Sequence, residues 1–180
     1  MGRRLIWIFT LLVFMLLLPV FASAEIKVHF IDVGQGDSIL VQCDGETLLV
    51  DAGPEDAGTR VNNYIRELQG LDNLDYLIVT HEHDDHLGGM ESALAGMSVN
   101  RIYSSTGISS SYWFQTLLPV LKQESLEVNY PSPNDSFQLG GATVTFVNPL
   151  TDSEKVNDCS LVVRIEYGDT AVLQIGRAHV

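Results

Sequence analysis

Three of the chain's five histidines stand within six residues, in Thr80-His81-Glu82-His83-Asp84-Asp85-His86. Imidazoles and a carboxylate at this spacing form a donor set that suits Zn²⁺ and related transition metals. The cluster follows Tyr76–Thr80, a short apolar run that reads as a buried strand. It precedes Leu87–Leu94, which reads as a helix starting at Gly88-Gly89. On such a strand-to-helix turn, alternate loop residues face one side and the helix start presents the next two. His81, His83, Asp85 and His86 can then converge, while Glu82 and Asp84 point elsewhere. A helix cap accounts for one acid here, but not for three clustered histidines.

Two acidic turns end strands that should lie nearby. Val33-Gly34-Gln35-Gly36-Asp37-Ser38 follows the first strand, and Val50-Asp51-Ala52-Gly53 closes a hairpin. Their glycines permit tight turns and close approach. Asp32, Asp37 and Asp51 are placed to point at the histidine cluster and orient its imidazoles. His29, mid-strand beside Phe30, reads as a packed sheet histidine rather than a ligand.

The elements that position these groups follow from periodicity. Strands are expected over Ile26–Val33, Ser38–Cys43 and Thr47–Val50, the last two joined by the turn Asp44-Gly45. Val61, Tyr64, Ile65 and Leu68 have helical spacing within Ala57–Leu68, and Gly70 is placed to end that helix. Further strands are expected over Val99–Tyr103, Thr143–Val147, Ser160–Tyr167 and Thr170–Ile175, with a helix over Tyr112–Leu126 that must tolerate Pro119. Strands interspersed with helices predict a layered α/β protein.

The N-terminus carries an address. Arg3 and Arg4 precede the almost purely apolar Leu5–Val20, and Ala22 and Ala24 form a small-residue cleavage site. Residues 1–24 therefore read as a signal peptide, and the chain as extracytoplasmic: secreted, periplasmic or in the cell envelope. The apolar run is slightly shorter than the roughly 17–25 residues of a membrane helix. No stable membrane span is expected after cleavage.

The 180 residues carry 23 acids against 10 bases, a net charge of −13. Without Arg3 and Arg4 the chain keeps 8 bases against the same acids, a net charge of −15. Such a balance excludes a binder that grips phosphates with Lys and Arg alone, so nucleic acid enters only as a substrate. Cys43 and Cys159 are the only cysteines, and they are treated as buried small residues whose pairing stays open.

Three segments together are recognisable. Phe30-Ile-Asp-Val-Gly-Gln-Gly-Asp-Ser-Ile39, Leu48-Leu-Val-Asp-Ala-Gly53 and Leu77-Ile-Val-Thr-His-Glu-His-Asp-Asp-His-Leu-Gly-Gly89 resemble the metallo-β-lactamase superfamily. More narrowly they resemble the branch of the β-lactamase-like domain of the competence DNA-uptake protein ComEC, as does Asn157-Asp-Cys-Ser-Leu-Val-Val163. The resemblance implies a four-layer αββα sandwich holding two divalent metal ions, Zn²⁺ foremost and Mn²⁺ second. It implies His81 and His83 on one ion, Asp85 and His86 on the other, Asp51 as a buried acid and Asp37 as a site-lining acid. A metal-bound hydroxide then attacks, with Asp85 as the catalytic residue that orients it.

The same resemblance requires ligands downstream. After Ala171–Gly176 the branch carries an Asp that bridges the metals, whereas here Arg177-Ala178-His179-Val180 follows. Gln174–Val180 can be encoded by a common sequencing-library adaptor, so His179 is not taken as a substitute ligand. The expectation is a domain over 25–176, incomplete in its second half, with a non-native tail over 177–180. The leading functional expectation is an exported metal-dependent hydrolase of phosphodiester or nuclease type. A hydrolase of another ester or amide, with a β-lactam ranked low, is one alternative. The other is a non-catalytic metal- or envelope-binding module, which the chain as written favours because downstream ligands are missing. A small molecule or a phosphodiester is the expected partner.

Overall fold

The computed structural model describes residues 25–105, 112–123, 126–147 and 156–177. The expected signal peptide and the last three residues of the expected tail lie outside them.

Two sheets face each other. The first has six strands in the order β1 (Ile26–Phe30), β2 (Ile39–Cys43), β3 (Glu46–Val50), β4 (Asn73–Val79), β5 (Ser98–Ser104) and β6 (Val128–Asn129). Its first three strands pair antiparallel, and β3 to β6 pair in parallel. The second sheet is antiparallel throughout, in the order β10 (Thr170–Gln174), β9 (Val163–Tyr167), β8 (Ala142–Phe146) and β7 (Ser136–Leu139). Asp44 and Gly45 both adopt positive φ, the combination a two-residue hairpin turn needs, so the predicted β2–β3 hairpin forms in register.

Alternation along the strands divides the apolar side chains between two cores. Leu40, Leu49, Leu77 and Val79 face the helices, where Val61, Ile65, Leu87 and Met90 cover them. Val41, Leu48, Val50 and Ile78 face the second sheet, meeting Leu139, Val144, Phe146 and Val163. Rings fill part of this inter-sheet layer: Phe137 stacks on Tyr76 at 4.3 Å and on Tyr103 at 5.0 Å between centroids. Each fully buried aliphatic side chain contributes about 1.5–3 kcal/mol by leaving water, and together they hold the layers. The result is the αββα frame, of which one helical layer and both sheets lie among the described residues. No helix among those residues is long and apolar enough to cross a membrane.

At the β2–β3 turn a polar clasp joins the sheets. The Glu46 carboxylate accepts from the Gly140 amide at 2.8 Å, and Asp44 accepts from the Gly141 amide at 2.9 Å.

Several expected boundaries change. The first strand ends at Phe30, because the segment after it turns into the glycine loop. Residues 55–68 form one continuous coil of 3-10, α and π character, with α1 at Gly58–Asn63 as its regular part. The helix expected to start at Gly88-Gly89 instead begins at Asp84. It is split into α2 (Asp84–Leu87) and α3 (Met90–Ala93) with the glycine pair between them. The fourth helix, α4 (Tyr112–Gln123), contains Pro119 as predicted. Cys43 and Cys159 are both buried and are not joined by a disulfide, and His29 is satisfied by Tyr64 and Gln42 at 2.9 Å each.

Candidate metal centre

The cluster sits where the parallel strands β3 and β4 end, the edge at which open α/β sheets present their ligand-binding loops. Beyond Val50 the chain turns sharply at Asp51, whose φ of 57° is left-handed. Its amide still donates to the Ile78 carbonyl at 3.0 Å, so the turn stays locked to β4. The next amides extend the lock: Ala52 donates to the His86 carbonyl and Gly53 to the Asp37 carbonyl, each at 2.9 Å. The glycine loop therefore rests directly on the histidine turn. At Gly36, with φ of 99°, a Cβ would collide with the Asp85 carbonyl oxygen, so only glycine permits this approach.

Asp51 is completely buried and every donor around it is accounted for. Its Oδ1 accepts from the Thr80 amide at 2.8 Å. Its Oδ2 accepts from the Thr80 hydroxyl at 2.6 Å and pairs with His86 Nδ1 at 2.8 Å. Thr80 Oγ1 also lies 3.0 Å from His81 Nδ1. Both imidazoles are thus held by Nδ1. Their Nε2 atoms are buried and have no hydrogen-bonding partner.

His81, Asp85 and His86 each present a ligand atom within 4.8 Å of the others. Asp85 Oδ1 lies 4.0 Å from His86 Nε2. Two orphaned imidazole nitrogens beside a carboxylate oxygen fit a divalent transition ion, because each bare lone pair inside a protein otherwise costs free energy. His83 is exposed and lies outside this trio, its ring centroid 5.0 Å from that of His81. The trio therefore draws on both halves of the expected ligand pairing. Asp37 approaches to 3.9 Å from His86 Nδ1 and accepts from Gln174 at 3.1 Å, which places it at the rim.

Electrostatics separate the two buried imidazoles. Burial, aided by the neighbouring His86 and His83, drives the His81 pKa down to about 3, so its imidazole is neutral at pH 7. Burial also acts against a charged His86, but the hydrogen bond and charge of Asp51, with Asp85 and Asp37, outweigh it and raise its pKa. Burial lifts Asp51, opposed by His86 and Thr80. Asp85 lies below the usual carboxylate range. Burial pushes it up, but Gln35, His86 and Arg177 together hold it ionised.

Thr80, Gln35 and Arg177 are site residues beyond the predicted set. Gln35 Nε2 donates to Asp85 Oδ2 at 3.3 Å, and Arg177 reaches the same oxygen at 2.9 Å. Arg177 falls within the expected tail over 177–180. A polar residue between β4 and the first ligand, and an amide inside the glycine loop, are the only sequence signals for the other two.

Comparison with known proteins agrees with this geometry. Residues 31–103, which contain β2 to β4 and all of the histidine cluster, match the family model of the Metallo-beta-lactamase superfamily. ComE operon protein 3 of Bacillus subtilis is 27% identical over 172 residues, covering 86% of this chain and 22% of that protein. The chain thus spans about a fifth of that relative's length. Among solved structures, a Cronobacter sakazakii metallo-β-lactamase with a HARLDQ motif superposes with a TM-score of 0.58 at 15% identity, over 81% of this chain and 60% of that one. The metallo-β-lactamase fold protein YhfI of B. subtilis gives 0.56 at 20% identity, over 83% and 61%. The fold is that of the metallo-β-lactamases, and among the curated relatives the sequence likeness is to ComE operon protein 3.

Proposed function

We propose that this chain is an exported metal-dependent hydrolase acting on phosphodiesters. The observation that carries the reading is the pair of buried, partnerless Nε2 atoms of His81 and His86 beside the Asp85 carboxylate. Zn²⁺ or Mn²⁺ bound there supplies Lewis acidity and an acidified water. The protein's own groups do the rest: Asp51 fixes the His86 ring, the glycine loop sets the Asp85 backbone, and Asp85 and Asp37 border the space a substrate enters. The phosphodiester class rests on the resemblance to the ComEC-like branch, and export on residues 1–24. The high negative charge makes a small phosphodiester a better substrate than duplex DNA, although bound cations offset the local charge. Another ester or amide substrate is the alternative within the same chemistry.

The other reading is a metal-binding module on the same fold without catalysis. Metal analysis of the purified chain after loading with Zn²⁺ or Mn²⁺, followed by a panel of bis(p-nitrophenyl) phosphate, an oligonucleotide, p-nitrophenyl acetate and nitrocefin, separates the readings. Phosphodiester turnover abolished by His81→Ala supports the hydrolase. Loading without turnover of any substrate supports the module. Turnover unaffected by His81→Ala refutes the assignment.

A further inference from the structure

We propose that Thr80 is a positioning residue that links the Asp51 carboxylate to His81 through its hydroxyl, so that one buried carboxylate sets the tautomers of both imidazole donors. The proposal rests on reading the trio as a metal centre, and part of its test is independent of that reading.

The argument is a count of protons. Three donors converge on Asp51: the Thr80 amide on Oδ1, with the Thr80 hydroxyl and His86 Nδ1 on Oδ2. Met by three donors on its two oxygens, the carboxylate is the acceptor at each contact. The Thr80 hydroxyl has one proton, and the 2.6 Å contact to Oδ2 is the shorter of its two and is assisted by the charge. Toward His81 Nδ1, at 3.0 Å, the same oxygen can then only accept. His81 must therefore carry its proton on Nδ1, which leaves the Nε2 lone pair bare. That is the atom found buried and unpartnered. His86 reaches the same state directly, by donating Nδ1–H to Asp51.

The two rings thus receive the same instruction by routes of different length. Carboxylates behind metal-bound histidines usually contact the ring itself, and here Thr80 extends that reach to a second ring. Its placement is specified by the backbone: the Thr80 amide is bonded to Asp51, and its carbonyl accepts from the Leu161 amide at 2.9 Å. A valine at position 80 has the same branched shape and no hydroxyl, so it removes the relay with little change in packing. A serine retains it.

Two measurements on the full chain test the proposal. In the metal-free protein at mildly alkaline pH, long-range ¹H–¹⁵N correlation spectra should show His81 protonated at Nδ1. Thr80→Val should abolish that preference and Thr80→Ser should keep it. By calorimetry, Thr80→Val should weaken Zn²⁺ binding by about 10–100-fold, with Thr80→Ser close to wild type. A wild-type His81 protonated at Nε2, or a Thr80→Val protein with unchanged tautomer and affinity, overturns the relay. If Thr80→Val fails to fold, the wild-type and Thr80→Ser spectra still decide. A chain that binds no Zn²⁺ but shows the Nδ1–H tautomer sinks the metal reading and leaves the relay standing.

Discussion

Replacing Asp51 by alanine should cost far more than its single side chain suggests. The change strips the acceptor from the Thr80 amide, the Thr80 hydroxyl and His86 Nδ1, all inside a fully buried site. Each hydrogen bond to a charged group is worth about 1.5–3 kcal/mol, but losses at one site are not additive. Removing one member of a buried pair typically costs about 3–5 kcal/mol, and this sets the expected total. Asp51→Asn keeps the shape and one acceptor oxygen, so it should lose about 1–3 kcal/mol. Urea unfolding of the metal-free protein at pH 7 reads both, with slopes that should match the wild type. An Asp51→Ala loss below about 1 kcal/mol would mean that the carboxylate is not the hub drawn here, since even one unsatisfied buried donor costs that much.

Further expectations concern pH and the glycine loop. The metal-free protein should lose stability on acidification through His81. Its folded pKa, about 3, lies below the unfolded value of 6.5, so stability is complete above pH 6.5 and declines between the two. The His81 share of that decline is at most about 1.4 kcal/mol per pH unit, and His81→Gln should flatten the curve by that share. A profile identical in the variant rules this out. Gly36→Ala should destabilise by about 2–4 kcal/mol and disturb Asp85, since the new Cβ meets backbone rather than a yielding side chain. A melting temperature equal to wild type contradicts the close approach.

How much could be read in advance differs by element. The β2–β3 hairpin was plain because Asp44-Gly45 supplies its own turn chemistry, and β4 because its apolar run has one environment on each face. Strand β7 went unread: Ser136-Phe-Gln-Leu139 alternates correctly, but it follows a Pro- and Asn-rich loop and is only four residues long. The glycine pair after the histidines looked like a helix start. It is a gap between two short helices because the loop from β3 needs the room: a Cβ on Gly89 would strike the Ala52 carbonyl. At the site, the spacing pointed to His81, His83, Asp85 and His86, of which the fold brings His81, Asp85 and His86 together and leaves His83 exposed. The role of Thr80 was not legible, because its partner lies 29 residues back, and Gln35 meets Asp85 across 50 residues. Such contacts exist only after folding, and residue type does not announce them.

The donors and their carboxylate support have one more property in common. Asp51, Thr80, His81, Asp85 and His86 lie within a single stretch of chain, and the longest hydrogen bond among them spans 35 residues. The clasp that joins the sheets spans 94 and 97 residues. Loop-closure entropy rises with such separations, so the ligand cradle is entropically the cheaper assembly. In a chain that emerges from its N-terminus, this cradle can close on one sheet before the other has been synthesised. The second sheet, whose strands run from Ser136 to Gln174, then arrives as a late wall around side chains already fixed by the first.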